Sequence, residues 1–439
     1  MPKVTNKMTH PPTSFSPSHK SLPSAADITR VELPNGIVIL VRPNFNSPSI
    51  VFNGFIQAGS LLDPEDKLGL ANFTAASLLL GTQDFDYQTI YEKLESAAAN
   101  LNFEGGTHVT SFGGRCLAED FEMLIQLFSS AIQKPEFPTE HVERKRAQLI
   151  TNLILRSQDT AEMASLTFDQ IVFDHHPYSR PEEGYIETIQ NITIEDIKQF
   201  QQKHYGPRGM VIVVVGAIAP QKAVETIANY FSSWENPHQA PPIELPALSP
   251  MNETILKKVN IAGKSQVDLI IGSIGPHRKS PDYMSAALGN SILGQFGLMG
   301  RIGDIVREKE GLAYYAYSSL SAGVGPGSWV VAAGVAPQNM QKAIDLIIRE
   351  IRRFVTEKVT QEELEDSQAN FIGRLPISLE SNMGVAYAIS NLERFDLGLD
   401  YYLQYEDLVR SVTVDQILET AQRYLDPNRL AIVAAGSLE

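Results

Sequence analysis

Two stretches of this chain follow one plan. ITIEDIKQFQQKHYGPRGMVIVVVG ends at Gly216, and VTVDQILETAQRYLDPNRLAIVAAG ends at Gly436. At a constant offset of 220, Thr193 meets Thr413, Ile197 meets Ile417, Pro207 meets Pro427 and Gly216 meets Gly436, with no gap. Each stretch reads as an amphipathic helix, a Pro-marked turn and a buried apolar strand. Upstream the order repeats as well: a strand, an amphipathic helix, then a polar helix, PTEHVERKRAQLI in one copy and TQEELEDSQANFI in the other. A duplicated plan requires two units of the same fold, each of about 200 residues.

The units are expected over residues 28–235 and 255–439. The segment between them, 236–254, falls mostly in WENPHQAPPIELPALSPMN (234–252), which is Pro-rich and lacks a helical period, so it reads as a semi-rigid strap. In the first unit, Pro34-Asn35-Gly36 joins two β-rich runs as a hairpin, and SIVFNGFIQAG adds a strand. A buried helix is expected from Pro64 through LGLANFTAASLLL, another over Tyr87 to Asn100, then β-rich GGTHVTSFGGRCLA and the helices DFEMLIQLFSSAIQ and TEHVERKRAQLITNLILRS. Hairpins make much of each sheet antiparallel. The class is therefore α+β: two homologous domains, each a mostly antiparallel sheet covered by helices, facing across a cleft.

Length alone would allow about three domains. The chain has 439 residues, 43% of them hydrophobic, and a formal net charge of −15, which argues against a general nucleic-acid binder. Cys116 is the single cysteine, so neither an internal disulfide nor a cysteine zinc cage can form. In its alternating strand it reads as a small buried hydrophobe. No apolar run approaches a membrane span of roughly 18–20 residues. The opening MPKVTNKMTHPPTSFSPSHKSLPSAAD lacks the apolar core of a secretory signal, so residues 1–27 read as a disordered tail and the chain as a soluble, cytoplasmic protein. Asp27 is the first acid, a composition equally compatible with an organelle transit peptide and a stroma or matrix location.

The common chemical signatures are missing. The sequence has no phosphate-binding Gly-rich loop, no Gly-x-Ser-x-Gly elbow, and no His-Glu-x-x-His or His-x-x-Glu-His. His175 and His176 are adjacent, so their side chains diverge, and in HHPYSRP they read as loop hydrogen-bonders. One stretch remains unusual: REKEGLAYYAYSSL, from Arg307 to Leu320, where a charged helix end breaks at Gly311 and Tyr314, Tyr315 and Tyr317 follow on a strand.

The order LPNG, QAGS, GLANF, HPYSRP, ITIEDIKQFQQKHYGP and REKEGLAY resembles the pitrilysin/insulinase family of zinc peptidases, in its mitochondrial-processing-peptidase-like branch, from about Val31 to Gly436. In active members the helix after the QAGS-like strand carries His-x-x-Glu-His. The resemblance places Asn72 and Ala76 where the two zinc histidines belong, Ala75 at the general-base glutamate, and Asn152 at the third ligand. Alanine has no donor atom and a neutral amide is a poor zinc ligand, so no metal is expected in this chain.

The same resemblance assigns Arg307 and Tyr314, seven apart, to a pair that reaches into the zinc site. Pattern alone leaves open a surface Arg in an ion pair and a Tyr on a half-buried strand. With the pair kept and the zinc box lost, the chain looks like the metal-free half of a heterodimeric peptidase. It would be inactive alone and catalytic with a related, zinc-bearing partner. The substrate would be an extended peptide added at a sheet edge, for which GGTHVTSFGG is a candidate. FGLMGR (Phe296–Arg301) reads as a loop at the cleft border or between helices. The alternatives are a non-catalytic scaffold, like the core proteins of respiratory complexes, and a homodimeric peptide binder.

Overall fold

The computed structural model describes residues 22–241, 243–295 and 300–438. In the first half, β1 (Thr29–Glu32), β2 (Val38–Pro43) and β3 (Ser49–Ile56) precede α1 (Leu70–Ser77) and α2 (Tyr87–Ser96). Then come β4 (Asn100–Gly105), β5 (Thr110–Leu117), α3 (Phe121–Gln133), α4 (Thr139–Ser157) and α5 (Thr160–Val172). The half closes with α6 (Ile186–Asn191), α7 (Ile194–His204), β6 (Val211–Gly216) and α8 (Pro220–Phe231).

The second half runs β7 (Ile255–Asn260), β8 (Val267–Ile274), α9 (Tyr283–Gly294) and α10 (Gly300–Gly303), which continues into a π-helical turn, Asp304–Lys309. β9 (Ala313–Leu320) and β10 (Ser328–Val335) lead into α11 (Met340–Thr356), α12 (Gln361–Ser378) and α13 (Asn382–Arg394). The end repeats the end of the first half: α14 (Tyr405–Arg410), α15 (Val414–Tyr424) and β11 (Ala431–Gly436).

The sheets confirm the duplication. Their orders are β1-β2-β6-β3-β5-β4 and β7-β11-β8-β10-β9, so apart from β1 each strand has a counterpart in the same place. In each sheet one pair is parallel, β2 with β6 and β7 with β11; the remaining pairs are antiparallel. α7 and α15 even start alike: Thr193 and Thr413 each accept from the third residue on, Asp196 and Gln416, in reciprocal capping boxes.

The two halves do not keep their helices to themselves. α5 of the first half lies on β8 and β11 of the second, where Ala164, Phe168 and Val172 share a core with Ala431, Val433 and Ala435. α13 of the second half lies on β3 and β6 of the first, where Val385, Ala386 and Ile389 pack with Leu40, Val51 and Val213. Each sheet is therefore covered on one face by its own helices and on the other by a helix from across the seam. The strap joins in: Leu248 and Met251 pack with α5.

Several expectations are corrected. The first buried helix starts at Leu70 rather than near Pro64, because Gly69 (φ 93°) turns the chain and the Asp63 carboxylate accepts from Gly69 N and Ala71 N at 2.8 Å. The helix expected to reach Asn100 stops at Ser96, where Ala98 (φ 45°) redirects the chain into β4. GGTHVTSFGG is not an edge strand: its second half, Thr110 to Gly114, lies in β5, between β3 and β4, and the edge is β4, of which the stretch holds only Gly105. Residues 22–27, assigned to the tail, are packed: Leu22 is buried, Ala25 N donates to Asp400 at 2.9 Å, and Asp27 pairs with Arg42. The rest of that tail, residues 1–21, and Phe296–Met299 of FGLMGR lie outside the described residues. Among the described residues no helix is long and apolar enough to cross a membrane.

Candidate functional site

α1 carries Asn72, Ala75 and Ala76, three of the four positions that the family resemblance aligns with a zinc box, and is held from both sides. Asp63 caps its start, and burial pushes that carboxyl up to about 7. The end of β4 presses against it: a Cβ on Gly105 would stand 2.6 Å from the Cα of Asn72. Asn72 Nδ2 donates to the Gly105 carbonyl at 3.3 Å. Ala75 is only 2% exposed and Ala76 partly buried, while Asn152 stands exposed on α4. Two methyl groups, an amide already engaged and an amide in solvent do not fit zinc. Among the described residues, no three His, Cys, Asp or Glu side chains cluster in a way that could hold a metal ion.

The second half leaves two polar groups free beyond α9, the counterpart of α1. Arg307 sits in the π-helical turn, a local widening of the helix often found at functional sites. Ile302 and Val306 anchor the segment in the core. Its other charges are nearly all paired tightly: Arg301 with Glu363, Lys309 with Asp304, and Glu310 with Lys342, each at 2.6 Å. Among the described residues Arg307 has only its neighbour Glu308, at 3.7 Å, too far for a hydrogen bond. Gly311 (φ 61°) takes a conformation that other residues rarely adopt, and turns the chain from the helix into β9. Tyr314 then emerges at the start of β9, 84% exposed and without a hydrogen-bond partner among the described residues.

The neighbouring tyrosine does something else. On the opposite face of β9, the Tyr315 hydroxyl donates to Asp268, a buried carboxylate on β8 that also accepts from Thr160 Oγ1 and, at 2.9 Å, from Gln266 Nε2. Burial and the Asp268 carboxylate push the Tyr315 phenol well up. Thr160 begins α5, so this cluster ties the exchanged helix to its host sheet. Tyr315 is framework; Tyr314 is free.

A polar cavity of about 610 Å³ lies in the seam, between the turns β4–β5 and β9–β10, α5 and the end of α13. His108 Nε2 and the Tyr178 hydroxyl are 2.7 Å apart there, and burial holds the His108 imidazole down at about 4. Asp169 faces the same cavity; burial and then Glu182 push its carboxyl up to about 7. His176 accepts from Tyr178 N at 3.1 Å, the loop hydrogen-bonding expected of HHPYSRP, whereas His175 stands in solvent. Cys116 is buried, and burial pushes its thiol up to about 12, as suits a packing residue. The seam was not legible in the sequence, because its groups come from both halves.

Comparison with known proteins agrees with this architecture. Residues 48–181 match the family model described as insulinase (peptidase family M16), and residues 191–371 match the one described as the peptidase M16 inactive domain. An uncharacterized zinc protease of Mycobacterium leprae is 22% identical over 93% of this chain and 92% of its own length. The mitochondrial-processing peptidase subunit beta of Saccharomyces cerevisiae is 23% identical over 92% of this chain and 90% of its own. Among solved structures, a peptidase M16 inactive domain from Pseudomonas fluorescens superimposes with a TM-score of 0.86 at 22% identity, covering 94% of this chain and 98% of that one. Two models of one family, one on each half, and a shared fold along nearly the whole length lead to one conclusion: the chain belongs to peptidase family M16, the insulinase family.

Proposed function

We propose that this chain is the metal-free subunit of a two-chain M16 peptidase, and that Arg307 and Tyr314 act in the site of a related, zinc-bearing partner. The observation that carries the reading is the pair itself. In a segment whose other charges are mostly tied down at 2.6 Å, Arg307 lacks a close partner, and seven residues later Tyr314 is open to solvent. A peptide carbonyl under nucleophilic attack gains negative charge on oxygen. A guanidinium N–H and a phenol O–H aimed at that oxygen stabilise the charge and hold the substrate backbone. The degenerate box supports the division of labour, since this chain offers no ligand set of its own. One relative is by name a subunit, the beta subunit of mitochondrial-processing peptidase. The substrate is an extended peptide, and both sheets end in an open edge, β4 and β9, able to pair with one.

The test is reconstitution. The chain is used to capture its partner from native extract, and peptidase activity is compared for each chain alone and for the mixture. Activity should require both. In the complex, Tyr314→Phe should lower kcat by about 10²–10³, the usual loss for one donor to a developing oxyanion. Arg307→Ala should lower kcat/KM at least as far. Full activity of Tyr314→Phe in an assembled complex would refute the assignment and favour a scaffold. One tightly held zinc per isolated chain, by elemental analysis, would refute the metal-free role.

A further inference from the structure

The segment that carries Arg307 is clamped by a buried ionic cluster. Arg301 is 11% exposed and forms a two-pronged fork on Glu363: Nε donates to Oε1 and Nη2 to Oε2, both at 2.6 Å. Its third nitrogen, Nη1, lies 3.7 Å from Oε1 of Glu350, which is 4% exposed, and neither of these two atoms has a hydrogen-bond partner. Burial raises the Glu350 carboxyl, while Arg353 and Arg301 act against that. The guanidinium also stands 5.9 Å from the ring centre of Phe354. Three helices therefore meet on one side chain: α10 through Arg301, α11 through Glu350 and Phe354, and α12 through Glu363.

Glu363 has a second duty. It is the third residue of α12, and its Oε2 accepts from Thr360 N at 2.8 Å in a capping box. The fork thus joins the segment 300–310 to the fixed start of a helix. At the far end Glu310 is held by Lys342 of α11. A buried ion cluster with two unsatisfied atoms is a poor device for stability, since apolar residues of similar volume do as well or better. What such a cluster supplies is a unique geometry: a bidentate fork fixes orientation as well as distance.

We infer that the Arg301–Glu363 fork is a positioning device for Arg307, setting the π-helical turn so that the free guanidinium and Tyr314 present one fixed geometry to substrate. Arg301 touches no substrate; it acts through Arg307. The inference rests on the reading of Arg307 and Tyr314 proposed above, and its first test does not need that reading to hold.

In the isolated full chain, Glu363→Gln keeps an acceptor for the cap but weakens the fork. Amide exchange over residues 304–312 should become about tenfold faster or more, with β11 unchanged. Thr360→Ala is the control: it removes the capping hydroxyl without touching the fork, and should leave exchange at 304–312 unchanged. Equal exchange in Glu363→Gln and wild type overturns the inference. So does equal acceleration by Thr360→Ala, which would show that the cap, not the fork, holds the segment. In the reconstituted complex, Glu363→Gln should lower kcat roughly tenfold to a hundredfold with KM within about twofold, as expected when a group is displaced by about an ångström. Faster exchange with unchanged kcat, in a complex that Arg307→Ala disables, sinks the positioning role and leaves the Arg307 reading standing. If Arg307→Ala keeps full rate, the reading itself has failed, and the exchange result then describes only an anchor.

Discussion

The same plan occurs twice in this molecule, and its two copies treat their polar side chains differently. In the first half, the helix that follows β3 is packing: Ala75 is buried and Asn72 turns its amide to the Gly105 carbonyl, so on α1 neither position offers a free polar group, and only Asn152, on α4, stands in solvent. In the second half, the segment after the counterpart helix α9, from the π-helical turn to the start of β9, leaves Arg307 and Tyr314 without a close partner among the described residues. The contrast lies in engagement: α1 offers methyl groups and an amide bound to the backbone, whereas a segment braced by close ion pairs and a positive-φ glycine leaves Arg307 part-exposed and Tyr314 in solvent.

The halves nonetheless depend on each other through the exchanged helices, and the largest predicted effects test that dependence. Phe168 is 1% exposed and belongs to the first half by sequence, yet it fills the core under β11. Phe168→Ala should destabilise the protein by about 3–5 kcal/mol, and the mirror change Ile389→Ala by about 2–5 kcal/mol. Since each helix serves the other half, both variants should unfold in a single transition in a denaturant titration followed by Trp234 and Trp329, one in each half. Two separated transitions in either variant would break the comparison and restore two independent domains.

That exchange marks the limit of what the sequence could show. The duplication and the span of α4 were legible, because each rests on local period or on one stretch matching another. The partners of α5 and α13 were not, because an apolar stripe states that it will be covered and not by what. Strand order hid the edge for the same reason: GGTHVTSFGG alternates well, but pairing on both sides is decided by β3 and β4. Strand alternation in the run YYAY put Tyr315 on the face opposite Tyr314, but not what it binds there. That partner is Asp268, 47 residues away.

Tyr315→Phe therefore sharpens the contrast between framework and site. It removes one donor from a carboxylate that is 2% exposed, leaving Thr160 and Gln266 to satisfy it. An intermediate stability loss of about 1–3 kcal/mol is expected, the cost of one missing hydrogen bond to a buried charged group. Tyr314→Phe, with an exposed and unpartnered hydroxyl, should change the melting temperature hardly at all. In a reconstituted peptidase the order of effects should invert, with Tyr314→Phe costing rate and Tyr315→Phe sparing it. If both variants behave alike in both measurements, the two faces of β9 do not differ in role.

The smallest effect concerns the seam, where the exchanged helices differ in charge. Counted from their N-caps, Asp159 and Ser381, Asp169 of α5 corresponds to Asn391 of α13. Asp169→Asn therefore makes the two helices alike at this position. Burial raises the Asp169 carboxyl to about 7 in the folded protein, against roughly 3.9 when unfolded. Below about pH 4 both states hold the proton, and the group contributes no pH dependence. Between about 4 and 7 the unfolded state releases its proton first, so this site lowers stability as pH rises. Above 7 both states are ionised and the penalty is constant. Asparagine cannot titrate, so the gain of Asp169→Asn over wild type should be near zero at pH 4 and grow to about 1–2 kcal/mol at pH 8, below the full linkage value because the cavity admits water. Denaturant midpoints of the two proteins, compared across that range, measure it directly. A gain that is the same at pH 4 and pH 8 would show that the carboxyl is not held in its neutral form, and that the seam tolerates a charge as readily as solvent does.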